Sequence, residues 1–561
     1  MESSRLVRAL ALFALTSACG SDTGTPPAGD GTGSATQDDD DGDDNDPSGD
    51  DSDSDTDVDP TEADTTGGEP ANVPARNVRI SLVEANSGVA VPIARDGAWV
   101  DGSGRNAPLP KGRDTAFRIY VDVEEDGWVS RELEARMTVT QLDGRESMYA
   151  EKGEISGDSS PTSLQSNILI GVVAEDIQLG ADFQIELYEA GGDYDALPEA
   201  TTAPLAIDDG PGQIGIEGSE QIMKVVIVPI EYSFGGCQAS TDLDEAALQP
   251  YSDAIYQQNA LETLQIEMID PIQVTDLDLT DPGDFFSLLN RIVQYRSQLG
   301  LDPNVYMYGL FDNCGACIGD GGGCLLGVAP GTPGATQGEA GQRAAIGVRY
   351  LSGNEVGIET FVHEIGHTQG RQHIACPGGQ SAGPDPSYPH DDGGIGVWGF
   401  GVRDFGIRNA SNHKDYMSYC SPTWVSDWQW SATFARIKSL TEWDTLDAVD
   451  PGMSESTQLI GTMNPETGES HWWTEPGYVE PSDAIFAAST VVLLDGANEL
   501  HVAAADIDAW SEGPWVTVRA NLPPESTIAK ASAVELRTPA RTVRVKKSDV
   551  RFELAGSLRA K

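Results

Sequence analysis

The sequence predicts an α+β chain of several domains, and three observations lead there. The chain has 561 residues, and single hydrophobic cores rarely grow beyond about 250–300 residues. A central stretch, 219–449, alternates apolar strand-like runs with helix-length apolar periods, the pattern of helices packed on a sheet. On either side, 76–218 and 450–561 carry short alternating runs bounded by Gly, Asp and Pro, the pattern of β-sandwich-like domains.

Residues 1–18 read as a signal peptide. Arg5 and Arg8 give a positive start, Ala9–Leu15 is apolar, and Thr16-Ser17-Ala18 precedes Cys19. Small residues directly before a cysteine resemble the bacterial lipobox. That resemblance makes Cys19 the lipidated first residue of the mature chain and the membrane a partner through its lipid anchor. Thr16 departs from the pattern, which has an aliphatic residue there. Residues 19–75 follow as an acidic tether. Ser21–Ala75 holds 18 Asp or Glu and no Lys or Arg, too little apolar surface to order itself and enough like charge to stay extended. Its alternating Asp51, Asp53, Asp55, Asp57 and Asp59 lack the glycine and terminal glutamate of a calcium loop, so calcium has little support. The net charge of −56 and the lack of a basic stripe argue against nucleic acid as a partner.

In 76–218, strands are expected at Val78–Val83, Ala116–Val123, Glu134–Thr140, Ile168–Val173 and Ala181–Tyr188. From Gln221 the pattern changes. Strands are expected at Met223–Tyr232, Leu264–Ile269, Val305–Phe311 and Ala344–Tyr350, with helical periods at Leu243–Leu264 and Phe285–Leu299.

The next helix carries the chemistry. His363-Glu364-Ile365-Gly366-His367-Thr368-Gln369-Gly370-Arg371-Gln372-His373 reads H-E-x-x-H-x-x-G-x-x-H. Ile358, Phe361, Val362 and Ile365 give the apolar stripe of a helix, and Ser352-Gly353-Asn354-Glu355 has the spacing of a capping box. His363 and His367 stand one turn apart on one face, so their rings can share one Zn²⁺ at about 2.0–2.1 Å. Glu364 lies beside them as a general base for an attacking water. Gly370 suits the left-handed residue that ends a helix, and the turn after it returns His373 as third ligand. The fourth corner stays open, as in catalytic rather than structural zinc sites. Downstream comes Asp415-Tyr416-Met417-Ser418-Tyr419-Cys420.

With these two segments the chain resembles a metzincin-clan zinc metalloendopeptidase, a clan defined by the long zinc motif and a Met-turn. The resemblance covers about Ile222–Leu440. It implies a metzincin-like zincin catalytic domain at 219–449, with Met417 as the floor beneath the metal. It also implies that Tyr419, two places after the methionine, matches the switchable ligand and oxyanion stabiliser of astacin-like and serralysin-like members. It makes Ala344–Tyr350 the exposed edge that accepts substrate backbone.

Apart from Cys19 there are six cysteines, an even number that implies disulfides in an exported chain. Cys376 follows the third ligand by three residues and Cys420 follows Met417 by three, so a bond between them would clamp the ligand loop to the Met-turn. Cys314, Cys317 and Cys324 lie in a glycine-rich loop, with Cys237 as a partner; a second zinc held by these four is the alternative. Trp424, Trp428 and Trp430 read as packing residues, followed by a helix near Ser431–Leu440. Strands return at Ala488–Leu494, Leu500–Ala505, Trp515–Ala520 and Thr542–Val545.

The expectation is therefore an exported or envelope-anchored zinc endopeptidase acting on a protein or peptide substrate. The alternative is a surface binding or adhesive lipoprotein with a silent metalloprotease module.

Overall fold

The computed structural model describes residues 73–551 except for 125–127, 191–206, 208–209, 242, 320–323, 350–354, 380–382, 446–455 and 480–487. The expected signal peptide, Cys19, almost all of the acidic tether, Tyr350 and the first three residues of the expected capping box lie outside the described residues.

The sheet that positions the site is built on one long buried strand. β1 (Ile222–Phe234) pairs antiparallel with β2 (Cys237–Ala239) and parallel with β3 (Thr263–Met268), β4 (Ile272–Val274) and β5 (Val305–Phe311). Beyond β5 comes β7 (Ala344–Val348), and beyond that the short antiparallel β6 (Gly327–Val328). The near-continuous apolar runs of β1, β5 and β7 suit strands covered on both faces, and every residue of β5 and β7 is buried. Ala344–Val348 is therefore not the exposed edge expected from the sequence. Two residues of β6 cover it, a run too short to carry any period.

Helix α1 (Glu245–Gln257) starts at Asp244, whose carboxylate accepts the N–H of Ala247 at 2.8 Å. Helix α2 (Pro282–Leu299) starts at Asp281, has proline in its first turn, and stops at Gly300 with φ 62°. Each end is the one its residues favour. Helix α3 (Glu355–Thr368) packs its Phe361 edge-on against Tyr308 of β5 and Tyr251 of α1, with ring centroids 4.9 and 5.5 Å apart. Helix α4 (Asp427–Thr445) lies beyond the site.

N-terminal to this sheet stand a five-stranded sheet around Val78–Asn86 and Thr115–Val123 and a four-stranded sheet around Arg131–Thr140. Phe117 and Phe183 meet between them at 5.6 Å. C-terminal to it stand a five-stranded sheet around Thr457–Met463 and a four-stranded sheet around Thr490–Asp495.

The fold class expected from the sequence is not what the molecule has. Among the described residues 31 strands in eight sheets stand against five α-helices. The described part of the chain is mostly β-sheet, not the expected α+β fold with a metzincin-like zincin domain flanked by two β-sandwich-like domains. The helices with clean apolar periods dominated the sequence signal, while strands of two or three residues left none.

The cores also run across the expected boundaries. One buried cluster joins Phe117 and Phe183 to Phe361, Met417 and Trp430. A second joins Phe285 and Phe311 to Trp473, Trp510 and Trp515. Arg113, fully buried, donates to the carbonyls of Ser87, Tyr256, Asn259 and Leu261 at 2.8, 3.0, 3.3 and 2.7 Å. Trp424 and Trp430 donate their indole N–H groups to Gly88 and Pro108 at 2.9 and 3.0 Å. These tryptophans thus pack against the N-terminal sheets.

Three disulfides form: Cys237–Cys314, Cys317–Cys324 and Cys376–Cys420. Cross-links of this kind belong to extracellular or envelope proteins. No helix among the described residues is long and apolar enough to cross a membrane.

Candidate metal centre

Helix α3 brings His363 and Glu364 to the wall of a cleft, with His367 buried one turn further on. The helix ends as its glycine demands. Gly370 has φ +84°, its N–H reaches the His367 carbonyl at 2.7 Å, and the Arg371 N–H reaches back to Gly366 at 3.0 Å. This left-handed cap reverses the chain. The following segment pairs with the turn around Met417, the Ile374 N–H donating to the Met417 carbonyl at 2.9 Å, and Cys376–Cys420 ties the same two segments.

Three imidazoles converge as a result. His367 Nε2 lies 3.1 Å from His363 Nε2 and 3.1 Å from His373 Nε2, and His363, His367 and His373 form the one cluster of three candidate ligands found among the described residues. The far nitrogens fix the tautomers. His363 Nδ1 lies 2.8 Å from the Tyr416 carbonyl and His367 Nδ1 2.7 Å from that of Arg371. A carbonyl only accepts, so each Nδ1 carries the proton and each Nε2 presents a bare lone pair. Burial, helped by the neighbouring imidazoles, opposes any second proton: it pulls His363 down to about 4 and His367 well below the ordinary range. Two bare lone pairs at 3.1 Å repel unless a cation lies between them. Donors at about 2.0–2.1 Å around a tetrahedral zinc stand about 3.3–3.4 Å apart, close to the spacing seen, so the residues fit that ion.

The floor is close. A β-carbon on Gly366 would stand 2.4 Å from Met417 Sδ and 2.8 Å from Tyr416 Cε2. Glycine between the two helical histidines therefore lets the Met-turn press against the helix. Asp415, fully buried, holds that turn by accepting the Met417 N–H at 2.8 Å, and burial raises its carboxyl to about 6.

Glu364 lies on the same helix, 4 % exposed, with one carboxylate oxygen, Oε2, buried and without a hydrogen-bond partner among the described residues. Burial above all, and then the charge of Glu512, pushes it well above the usual carboxylate range, while a hydrogen bond with Ser511 opposes the rise. A bound cation would pull it back toward the charged form. Tyr419, 44 % exposed, sets its hydroxyl 3.0 Å from His373 Nε2. The cleft, about 380 Å³, is lined by Leu325, Leu326, Val356, Glu359 and Thr360 beside His363 and Glu364.

Sequence reasoning missed one residue here. Glu512, from the C-terminal sheets, has Oε1 3.4 Å from His373 Nε2 and also contacts the Tyr419 hydroxyl. Nothing around it in the sequence marks it: Ser511-Glu512-Gly513-Pro514 reads as an ordinary turn. The remaining histidines stand apart from the cluster, His390 pairing with Asp427 at 2.6 Å.

No family model matches the chain, and no curated protein matches it. Among solved structures it is similar to a calcium-binding mutant of Bacteroides uniformis beta-glucuronidase 2, at 8 % identity and TM-score 0.13 over 42 % of this chain and 29 % of that one. It is also similar to a glycosyl hydrolase family 2 member from Bacteroides cellulosilyticus DSM 14838, at 7 % identity and TM-score 0.13 over 84 % of this chain and 79 % of that one. At these scores the likeness carries no argument about fold or activity.

Proposed function

We propose that this protein is an exported zinc-dependent endopeptidase that hydrolyses peptide bonds. The observation that carries the reading is the convergence of three imidazoles, His367 Nε2 lying 3.1 Å from the Nε2 of both His363 and His373, beside a buried, half-unpartnered carboxylate. The resemblance of the histidine motif and the Met417 turn to metzincin peptidases supports the same chemistry, independently of overall fold. So does the cleft, whose Leu325, Leu326 and Val356 suit the side chain of an extended peptide.

A zinc ion held by His363, His367 and His373 would polarise the scissile carbonyl and lower the pKa of a water toward about 7. The protein's own residues do the rest. Glu364 Oε2 takes the proton of the attacking water and passes it to the leaving amine. The Tyr419 hydroxyl, beside His373, donates to the developing oxyanion. The Nδ1 contacts to Tyr416 and Arg371 keep both helical rings in the tautomer that offers Nε2. Beneath them the packed Met417 stops the ligand set from spreading.

The test is Glu364→Gln with zinc content and digestion of an unfolded protein such as casein measured side by side. The variant keeps its zinc and loses cleavage by about 10²–10⁴-fold, the range for a general acid–base group. Proteolysis at the wild-type rate, or wild-type protein that binds no zinc, overturns the reading.

A further inference from the structure

The C-terminal sheets reach into the metal centre through the turn Trp510–Trp515, between strands Asp506–Ala509 and Val516–Asn521. The turn is fixed at both ends. Trp510 and Trp515 stack at 5.3 Å, and Trp510 packs against Phe286 of α2 at 6.1 Å. The Trp510 indole donates to Thr517 Oγ1 at 3.0 Å, and that hydroxyl donates to the Pro330 carbonyl at 2.9 Å. Next to Trp510, the Ser511 N–H donates to the Ala329 carbonyl at 3.0 Å and the Ala329 N–H donates to Ser511 Oγ at 2.9 Å. Ala329 directly follows β6, so Ser511 is pinned to the sheet edge and its neighbour Glu512 is held over the imidazoles.

We propose that Glu512 is a fourth protein donor to the metal centre, a carboxylate that caps the corner next to His373 until substrate displaces it. The inference rests on the zinc reading given above. Three features carry it. The 3.4 Å from Glu512 Oε1 to His373 Nε2 matches one donor–donor separation of a tetrahedral zinc, about 3.3–3.4 Å, and places the carboxylate next to the cluster that the three imidazoles form. Glu512 shares the cleft with Glu364, and two carboxylates at one site repel unless a proton or a bound cation relieves them. The Tyr419 hydroxyl already touches Glu512, so the carboxylate is steadied beside His373 before substrate arrives. The C-terminal sheets are in this way part of the centre rather than an appended binding module.

The experiment compares full-length wild type, Glu512→Gln and Glu512→Ala. Retention of zinc is measured against a chelator, and the visible absorption spectrum is recorded after cobalt(II) replaces zinc. Both variants lose metal affinity about tenfold or more, in the range known for groups supporting a metal site, and both shift the cobalt bands, with melting temperatures like wild type. Wild-type affinity together with an unchanged cobalt spectrum in either folded variant overturns the proposal. A His363→Ala control separates the two readings. If that variant holds zinc as tightly as wild type, the metal centre itself is wrong; if it loses zinc while Glu512→Gln does not, only the role of Glu512 falls.

Discussion

Arg113→Met tests whether the N-terminal sheets are a permanent part of the protein. The substitution keeps a long apolar stem and removes the guanidinium. Four carbonyl contacts are lost, on Ser87, Tyr256, Asn259 and Leu261. The Asn259 carbonyl keeps the Leu261 N–H at 2.9 Å, so three carbonyls must find new partners. A stranded buried polar group costs roughly 1–3 kcal/mol. Part of that is offset, because burial already disfavours the charged guanidinium and pulls its pKa down. Contacts with the rings of Tyr256 and Trp430, at 4.3 and 5.2 Å, are lost as well. The net expectation is a loss of about 3–5 kcal/mol, the cost of breaking a buried charged contact by removing one partner. Urea unfolding followed by tryptophan emission reads this directly, since Trp430 lies under the guanidinium. A loss below about 1 kcal/mol refutes the reasoning. So does a protein that keeps its stability and activity after 76–218 is cut away.

Other outcomes follow from the same geometry. Gly366→Ala drives a methyl into Met417 Sδ, 2.4 Å away. It should cost about 1–3 kcal/mol from overpacking and weaken zinc binding, both measurable by melting with and without zinc. Removing the Cys376–Cys420 bond, which spans 44 residues, by paired serine substitutions should cost roughly 2–4 kcal/mol in denaturant unfolding and loosen zinc retention in the same preparation. The His390–Asp427 pair sets a pH dependence. Its hydrogen bond, the largest influence, raises the His390 pKa. The stabilisation is therefore fully present below the unfolded value of about 6.5 and lost as pH rises through the higher folded value. The stability gap between wild type and His390→Gln should be larger near pH 6 than near pH 9 in parallel urea titrations; an equal gap at both removes the pair as a contributor.

The sequence made the local chemistry readable and left the long-range assembly hidden. His363, His367, Gly370 and His373 make a histidine-bearing helix and its reversal readable because each constraint lies within eleven residues of chain. β5 at Val305–Phe311 falls where its apolar run predicts, and α1 is shorter than its period suggested because it ends at Gln257. Burial, by contrast, does not name its partner. Trp430 reads as a core residue, but nothing near it says that the core belongs to Pro108 and Gly88. The same holds for Trp510, Trp515 and Glu512, whose neighbours on α2 and at His373 lie far away in sequence. That is also why the domain boundaries drawn from pattern changes do not coincide with breaks in the packing.

Two of the cross-links bracket the working surface. Cys317–Cys324 closes a loop that ends directly before Leu325, and Cys376–Cys420 joins the loop after His373 to the segment bearing Met417 and Tyr419. In a reducing cytosol neither bond persists. A chain kept reduced would then carry His373 and Met417 on two segments that no cross-link joins.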